Sequence, residues 1–142
     1  AKERAGIAPS FADHSGLSDA SRISALDMVA LLNADRAMGQ LRPIMKDIAF
    51  KDEDNKRLKD HPATVLAKTG TLNFVSSLAG YLRTAGGREL TFAIFAADLD
   101  AREKGKLSGD EQPFGSISFN TNAKRLQQVL LQRWAVLADV DQ

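Results

Sequence analysis

The sequence predicts a single domain of the α/β class in its α+β form, an antiparallel sheet with helices packed on it. Three observations predict it. "RISALDMVALLNADRAMG" near the start carries apolar residues at helical spacing. Two runs rich in β-branched and aromatic residues, "FVSSLAGYLR" and "ELTFAIFAA", are separated by Ala85-Gly86-Gly87, which reads as a hairpin. A second amphipathic run closes the chain. At 142 residues there is room for one core and not for two.

In chain order, Ser24 is the expected N-cap of the first helix, with Asp27 three residues on, Ile23 placed to staple onto Met28, and Gly39 as the stop. Leu26, Val29 and Ala30 give one face, widened by Leu31 and Leu32, so most of this helix should be buried. From Gln40 to Pro62 charges crowd without a period, and the reading is an irregular solvated excursion with a turn near Pro43. Ala63 to Ala67 is a short apolar run, followed by strands over Phe74–Arg83 and Glu89–Ala97. Both faces of the last strand are apolar, which predicts cover on each side. Residues 98–120 read as a polar connection. A final helix is expected from Asn122 to Leu137, with Leu126, Val129, Leu130, Trp134 and Leu137 inward and Lys124, Arg125, Gln128 and Gln132 outward.

Composition narrows the function classes. Nineteen basic against eighteen acidic side chains leave a net charge of +1, so no bulk attraction draws the chain to nucleic acid. The absence of cysteine removes disulfides, thiolate metal sites and a cysteine nucleophile together. With His14 and His61 the only histidines, a metal site is not expected. No run approaches the roughly 18 apolar residues of a membrane span. "AKERAGIAPSF" lacks the apolar core of a signal peptide, so the expectation is a cytoplasmic chain or one whose leader has been removed.

"TVLAKTGTL" at 64–72 sets a lysine between two apolar runs. Lys68 has a plain structural reading, an edge-strand charge that discourages aggregation. A phosphate loop fails, because Gly105-Lys106 is followed by Leu107 and no full pattern occurs. Asp13-His14-Ser15 is not a triad, since adjacent residues do not easily turn toward one another.

A fourth reading comes from resemblance. "DHSGLSDASRIS" at 13–24, followed by "AKTGTLNFVSSLAGYL", resembles the Asp-Gly-Ser-Gly-Leu-Ser segment and the Lys-Thr-Gly-Thr-Leu and Leu-Ala-Gly-Tyr strands of the D-alanyl-D-alanine carboxypeptidases/endopeptidases of the class C penicillin-binding proteins. The match runs from about residue 5 to the final helix. It implies a part of a penicillin-binding/β-lactamase-like transpeptidase domain. Lys68 would then hold the substrate carboxylate, Thr69 and Thr71 would offer hydroxyls, and Gly70 would let the ligand approach. The Thr71 N–H would be one half of an oxyanion hole. Asp13, Ser15 and Gly16 would shape a loop beside the active site, or form a tight turn before the helix.

Two departures from the family pattern matter. His14 stands where the family has glycine, and no Ser-x-x-Lys occurs; the only Ser-x-Asn, Ser118 to Asn120, follows Lys-Thr-Gly instead of preceding it. The expectation is therefore a C-terminal segment of a serine DD-peptidase, its nucleophile on a missing N-terminal portion of the same enzyme. The resemblance implies peptidoglycan stem peptides and β-lactams as ligands, no cofactor, and a periplasmic or extracytoplasmic location. The rival readings are a non-catalytic peptidoglycan- or peptide-binding module and a structural half-domain.

Overall fold

The computed structural model of the protein describes residues 9–12, 18 and 20–140. The predicted loop residues Asp13, Ser15 and Gly16 lie outside them. Nearest to them in the described chain, Ser18 Oγ accepts from Ala20 N at 3.2 Å and Ser18 O from Ser21 N at 3.3 Å.

Helix α1 (Ala25–Asp35) starts where expected, with Ser24 Oγ accepting from Asp27 N at 3.0 Å. Behind it, the buried Asp35 carboxylate accepts from Gln40 N and Leu41 N at 3.1 and 2.9 Å, turning the chain around Gly39. The predicted face is only partly right. Leu26 is 78% exposed, and contact with the sheet runs through Leu32 against Ala79 and Tyr81, because the helix lies on the sheet by one narrow side.

The excursion from Gln40 to Pro62 has more structure than its charges suggested. A 3-10 turn covers Arg42–Ile44, and β1 (Lys46–Asp47) follows. Phe50 joins the core and stacks on His61 at 3.8 Å. A two-residue strand and one aromatic leave too little periodicity to stand out among so many charges.

β2 (Thr64–Leu72), β3 (Val75–Arg83) and β4 (Glu89–Ala97) form a meander, and the sheet order is β1-β2-β3-β4 with every pair antiparallel. The β3–β4 hairpin closes as predicted, Thr84 N donating to Arg88 O at 2.8 Å around a Gly87 of φ 85°. β2 and β3 approach closely at Gly80, where an added Cβ would lie 2.6 Å from Ala67 Cα and collide with Leu66 O. One sheet face packs Val65, Leu78, Leu82 and Phe92 against Leu131 and Ala135 of the last helix. The other meets α1. β4 is covered on both faces only along its first part, and Phe95 is 39% exposed.

Residues 98–120 are not a plain connection. They hold α2 (Leu99–Ser108), capped by Asp98 Oδ1 accepting from Ala101 N at 2.9 Å and ended by Gly109 at φ 74°. α3 (Ser116–Val140) begins earlier and ends later than expected. Its buried stripe is Ala123, Gln127, Leu131 and Ala135, whereas Leu126, Val129 and Leu137 are 51%, 61% and 47% exposed. The i, i+4 spacing lays one stripe of the helix on the sheet, with the small Ala123 and Ala135 toward its two ends, and Gln127 is accepted there because its Nε2 donates to Ser76 Oγ at 3.1 Å. Trp134 still packs on the core beside Phe92.

Candidate functional site

β2 is held unequally along its length. On its outer side β1 pairs only with Leu66 and Ala67, and Ile48 N donates to Val65 O at 2.9 Å. Beyond Ala67, no strand among the described residues covers that side. Backbone direction alternates in an antiparallel ladder, so the outward-facing Val65 fixes Thr69 and Thr71 as outward too. Their N–H and C=O groups therefore lie along an open margin, the arrangement that an added strand requires.

Side chains alternate in the opposite sense. Lys68 and Gly70 share one face, above Ala79 and Ser77 of β3, while Thr69 and Thr71 share the other, above Leu78 and Ser76. The four predicted residues thus meet at a margin and not on one face. Lys68 is exposed, and its Nζ donates to Thr69 O at 2.8 Å, lying back along the margin. A carboxylate arriving there meets a cation held by one neutral carbonyl, and the charged pair is the stronger bond. Gly70 has a structural role that the sequence did not announce: a Cβ there would strike Ser77 Oγ, which donates to Gly70 O at 3.4 Å.

Thr69 and Thr71 border a cleft of about 1130 Å³ between the sheet, α3 and the segment after β1, with Lys46 and Lys124 on its walls. Gln128 and Gln132, predicted to face solvent, build that wall. Gln128 Oε1 accepts from Lys51 N at 3.0 Å, and Gln132 Nε2 donates to Lys51 O at 2.7 Å.

The far end of β2 is clamped by residues to which the sequence reading gave no role; of them only Asn120 was weighed, as the end of the late Ser-x-Asn. Asn73 Oδ1 accepts from Ser116 Oγ, Asn73 Nδ2 donates to Glu111 O, and Arg102 Nη1 donates to Asn73 O, each at 2.9 Å. Asn120 Nδ2 donates to Leu72 O, and Asp98 N to Phe74 O, also at 2.9 Å. Phe74 takes a left-handed φ of 57° with its ring against Gly105 and Gly115. The available signal was "LNFV", an Asn-led pair between two apolar residues. Ser118, half of the late Ser-x-Asn, donates its hydroxyl to Gly115 O at 2.9 Å and stays within the helix start.

Elsewhere the polar chemistry is structural. His61 Nδ1 accepts from Ala63 N at 3.2 Å. Tyr81 Oη donates to Leu32 O at 2.9 Å, and burial, reinforced by Asp35, raises the phenol above its ordinary range. Among the described residues no cluster of His, Cys, Asp and Glu is placed to hold a metal, and no helix is long and apolar enough to cross a membrane.

A four-stranded antiparallel sheet packed by helices, with Lys-Thr-Gly on a strand whose outer side is unpaired among the described residues, is consistent with a fragment of a peptidase domain. A family model described as D-Ala-D-Ala carboxypeptidase 3 (S13) matches residues 7–111. The chain belongs to that carboxypeptidase family. No curated protein and no solved structure matches it.

Proposed function

We propose that this chain supplies the Lys-Thr-Gly strand of a serine-type D-Ala-D-Ala carboxypeptidase/endopeptidase acting on peptidoglycan stem peptides outside the cytoplasmic membrane. The observation that carries the reading is the open margin from Lys68 to Leu72, where the backbone of Thr69 and Thr71 faces outward. A stem peptide lies along it as an extra strand. Lys68 turns from Thr69 O to the terminal carboxylate, and Thr69 and Thr71 flank it with hydroxyls. The Thr71 N–H faces the penultimate carbonyl oxygen as one of two oxyanion donors.

The serine itself belongs to sequence outside these 142 residues, because no Ser-x-x-Lys is present. Its oxygen bonds to the carbonyl carbon and the C–N bond to the terminal D-Ala breaks. The leaving amine takes the serine's proton through a general base, and water then hydrolyses the ester. A β-lactam enters the same route and stops at the ester.

The missing nucleophile also favours a second reading, a module that binds the peptide without cleaving it. The chain alone is expected neither to take a fluorescent penicillin covalently nor to release D-Ala. Joined to its upstream sequence, it should do both. Covalent labelling of the isolated chain overturns the placement of the serine, and retained binding with no turnover by the joined protein favours the module.

A further inference from the structure

From Lys68 onward β2 is held by β3 on one side only, among the described residues. An edge of that kind keeps its place only if its end is fixed from inside the fold. Five hydrogen bonds converge on the three residues after Thr71, and all come from α2, α3 or the residues flanking α2. Two amide side chains do most of this. Asn73 engages both ends of its side chain, with Ser116 Oγ and with Glu111 O. Asn120 holds Leu72 O, the carbonyl one residue beyond Thr71, while its own Oδ1 is buried without a partner among the described residues. A buried acceptor left unpaired is rare enough to need a reason. Fixing Leu72 supplies one, because only the amide nitrogen can donate to that carbonyl.

We infer that Asn73 and Asn120 are positioning residues for acyl transfer: they fix the end of the Lys-Thr-Gly strand so that the Thr71 N–H meets the developing oxyanion. This deepens the proposed function and rests on it. A donor displaced by about 1 Å costs on the order of a hundredfold in rate while leaving ground-state binding little changed. The signature is therefore a loss in kcat and not in KM.

The test uses the enzyme joined to its upstream sequence. Asn120→Asp and Asn73→Asp keep shape and remove the donor. Ser116→Ala is the milder variant, removing one hydroxyl. Fluorescent penicillin counts the sites able to react, and acylation and D-Ala release are then measured per site. Asn120→Asp and Asn73→Asp should slow acylation at least about tenfold per site with KM within about threefold, and Ser116→Ala should show a smaller loss of the same kind. Leu131→Ala, which destabilises the core away from the hairpin tip, should leave the rate per site unchanged. Unchanged rates in the Asn variants, or an equal loss in Leu131→Ala, overturn the inference. Lys68→Ala separates the two levels: if it retains full activity, the proposed site fails, and if it is inactive while the Asn variants are not, only the positioning role fails.

Discussion

The sheet has two outer margins, and they are built from opposite materials. Along β2, from Lys68 to Leu72, the margin carries an ammonium, two hydroxyls and a glycine. Along β4, "ELTFAIFAA", it is almost wholly apolar. α1 attends the first end of β4, where Arg36 Nη2 donates to Glu89 O at 3.3 Å and to Thr91 Oγ1 at 2.9 Å. Beyond Thr91 no strand among the described residues pairs with it. Both edges are open, so openness alone marks no site. What separates them is that β2 sets an ammonium and hydroxyls beside its outward-facing backbone, and is clamped at its tip by side chains from α2 and α3. Lysine on an edge also discourages aggregation, and only loss of function distinguishes the two uses.

The sharpest break of the comparison is therefore a matched pair of substitutions. In the enzyme joined to its upstream sequence, Lys68→Ala should lower kcat/KM for a D-Ala-D-Ala peptide by about a hundredfold or more, the scale of a lost charged contact at a reacting centre. Arg36→Ala, which strips one cation from the other margin and leaves Arg42 paired with Glu89, should leave kcat/KM unchanged and cost about 1 kcal/mol in stability, since it removes exposed bonds. Steady-state kinetics and urea titration read both. Equal activity losses would erase the distinction between the margins.

Gly80 tests how the β2 margin is carried. It lies where β3 touches β2 most closely, with no space for a Cβ beside Leu66 O and Ala67. Those atoms are backbone or short side chain and cannot swing aside. Gly80→Val should destabilise the fold by about 1–3 kcal/mol, as overpacking does, visible as a lower urea midpoint with an unchanged slope. At Gly86, in the other hairpin, an added Cβ first meets the Asp139 carboxylate, a side-chain end and not backbone, so Gly86→Ala should cost less.

The same contrast shows what the sequence made legible. The meander, the β3–β4 turn and the Ser24 cap were readable because each rests on a local signal: alternation, paired glycines, a serine before an apolar run. Lys68, Thr69, Gly70 and Thr71 were singled out by resemblance alone, and the structure divides their side chains between two faces. β1 and α2 were missed because two residues carry no period and because α2 is too polar to show one. The buried face of α3 was misassigned for a related reason. Size pointed to Leu126 and Val129, but close packing on the sheet selected Ala123, Leu131 and Ala135. Asn73 and Asn120 act through partners 38 to 48 residues away in sequence, a separation that no local pattern encodes.

The β4 margin makes its own prediction. A long, apolar, unpaired edge invites pairing with a second copy. Phe95→Lys, placed on the exposed part of β4, should raise the concentration at which the isolated chain stays monomeric, by light scattering. Lys68→Ala should lower it only slightly, because the β2 margin keeps its polar neighbours.

The smallest expected effect lies where α3 secures the β3–β4 hairpin. Asp139 accepts from Thr84 Oγ1 at 2.6 Å and from Gly86 N at 2.9 Å, and these bonds, the hydroxyl's first, hold its carboxyl below the ordinary aspartate range. A depressed folded-state pKa means that the clasp contributes fully above the unfolded aspartate value of about 3.9 and is lost as pH falls through the lower, folded one. Asp139→Asn should therefore melt below the parent at neutral pH, with the gap shrinking as the solution is acidified past that range. Thr84→Val removes the principal donor and should narrow the pH dependence on its own. Neither change touches β2, so any accompanying loss of activity per labelled site would tie the two hairpins together more tightly than their separate clamps imply.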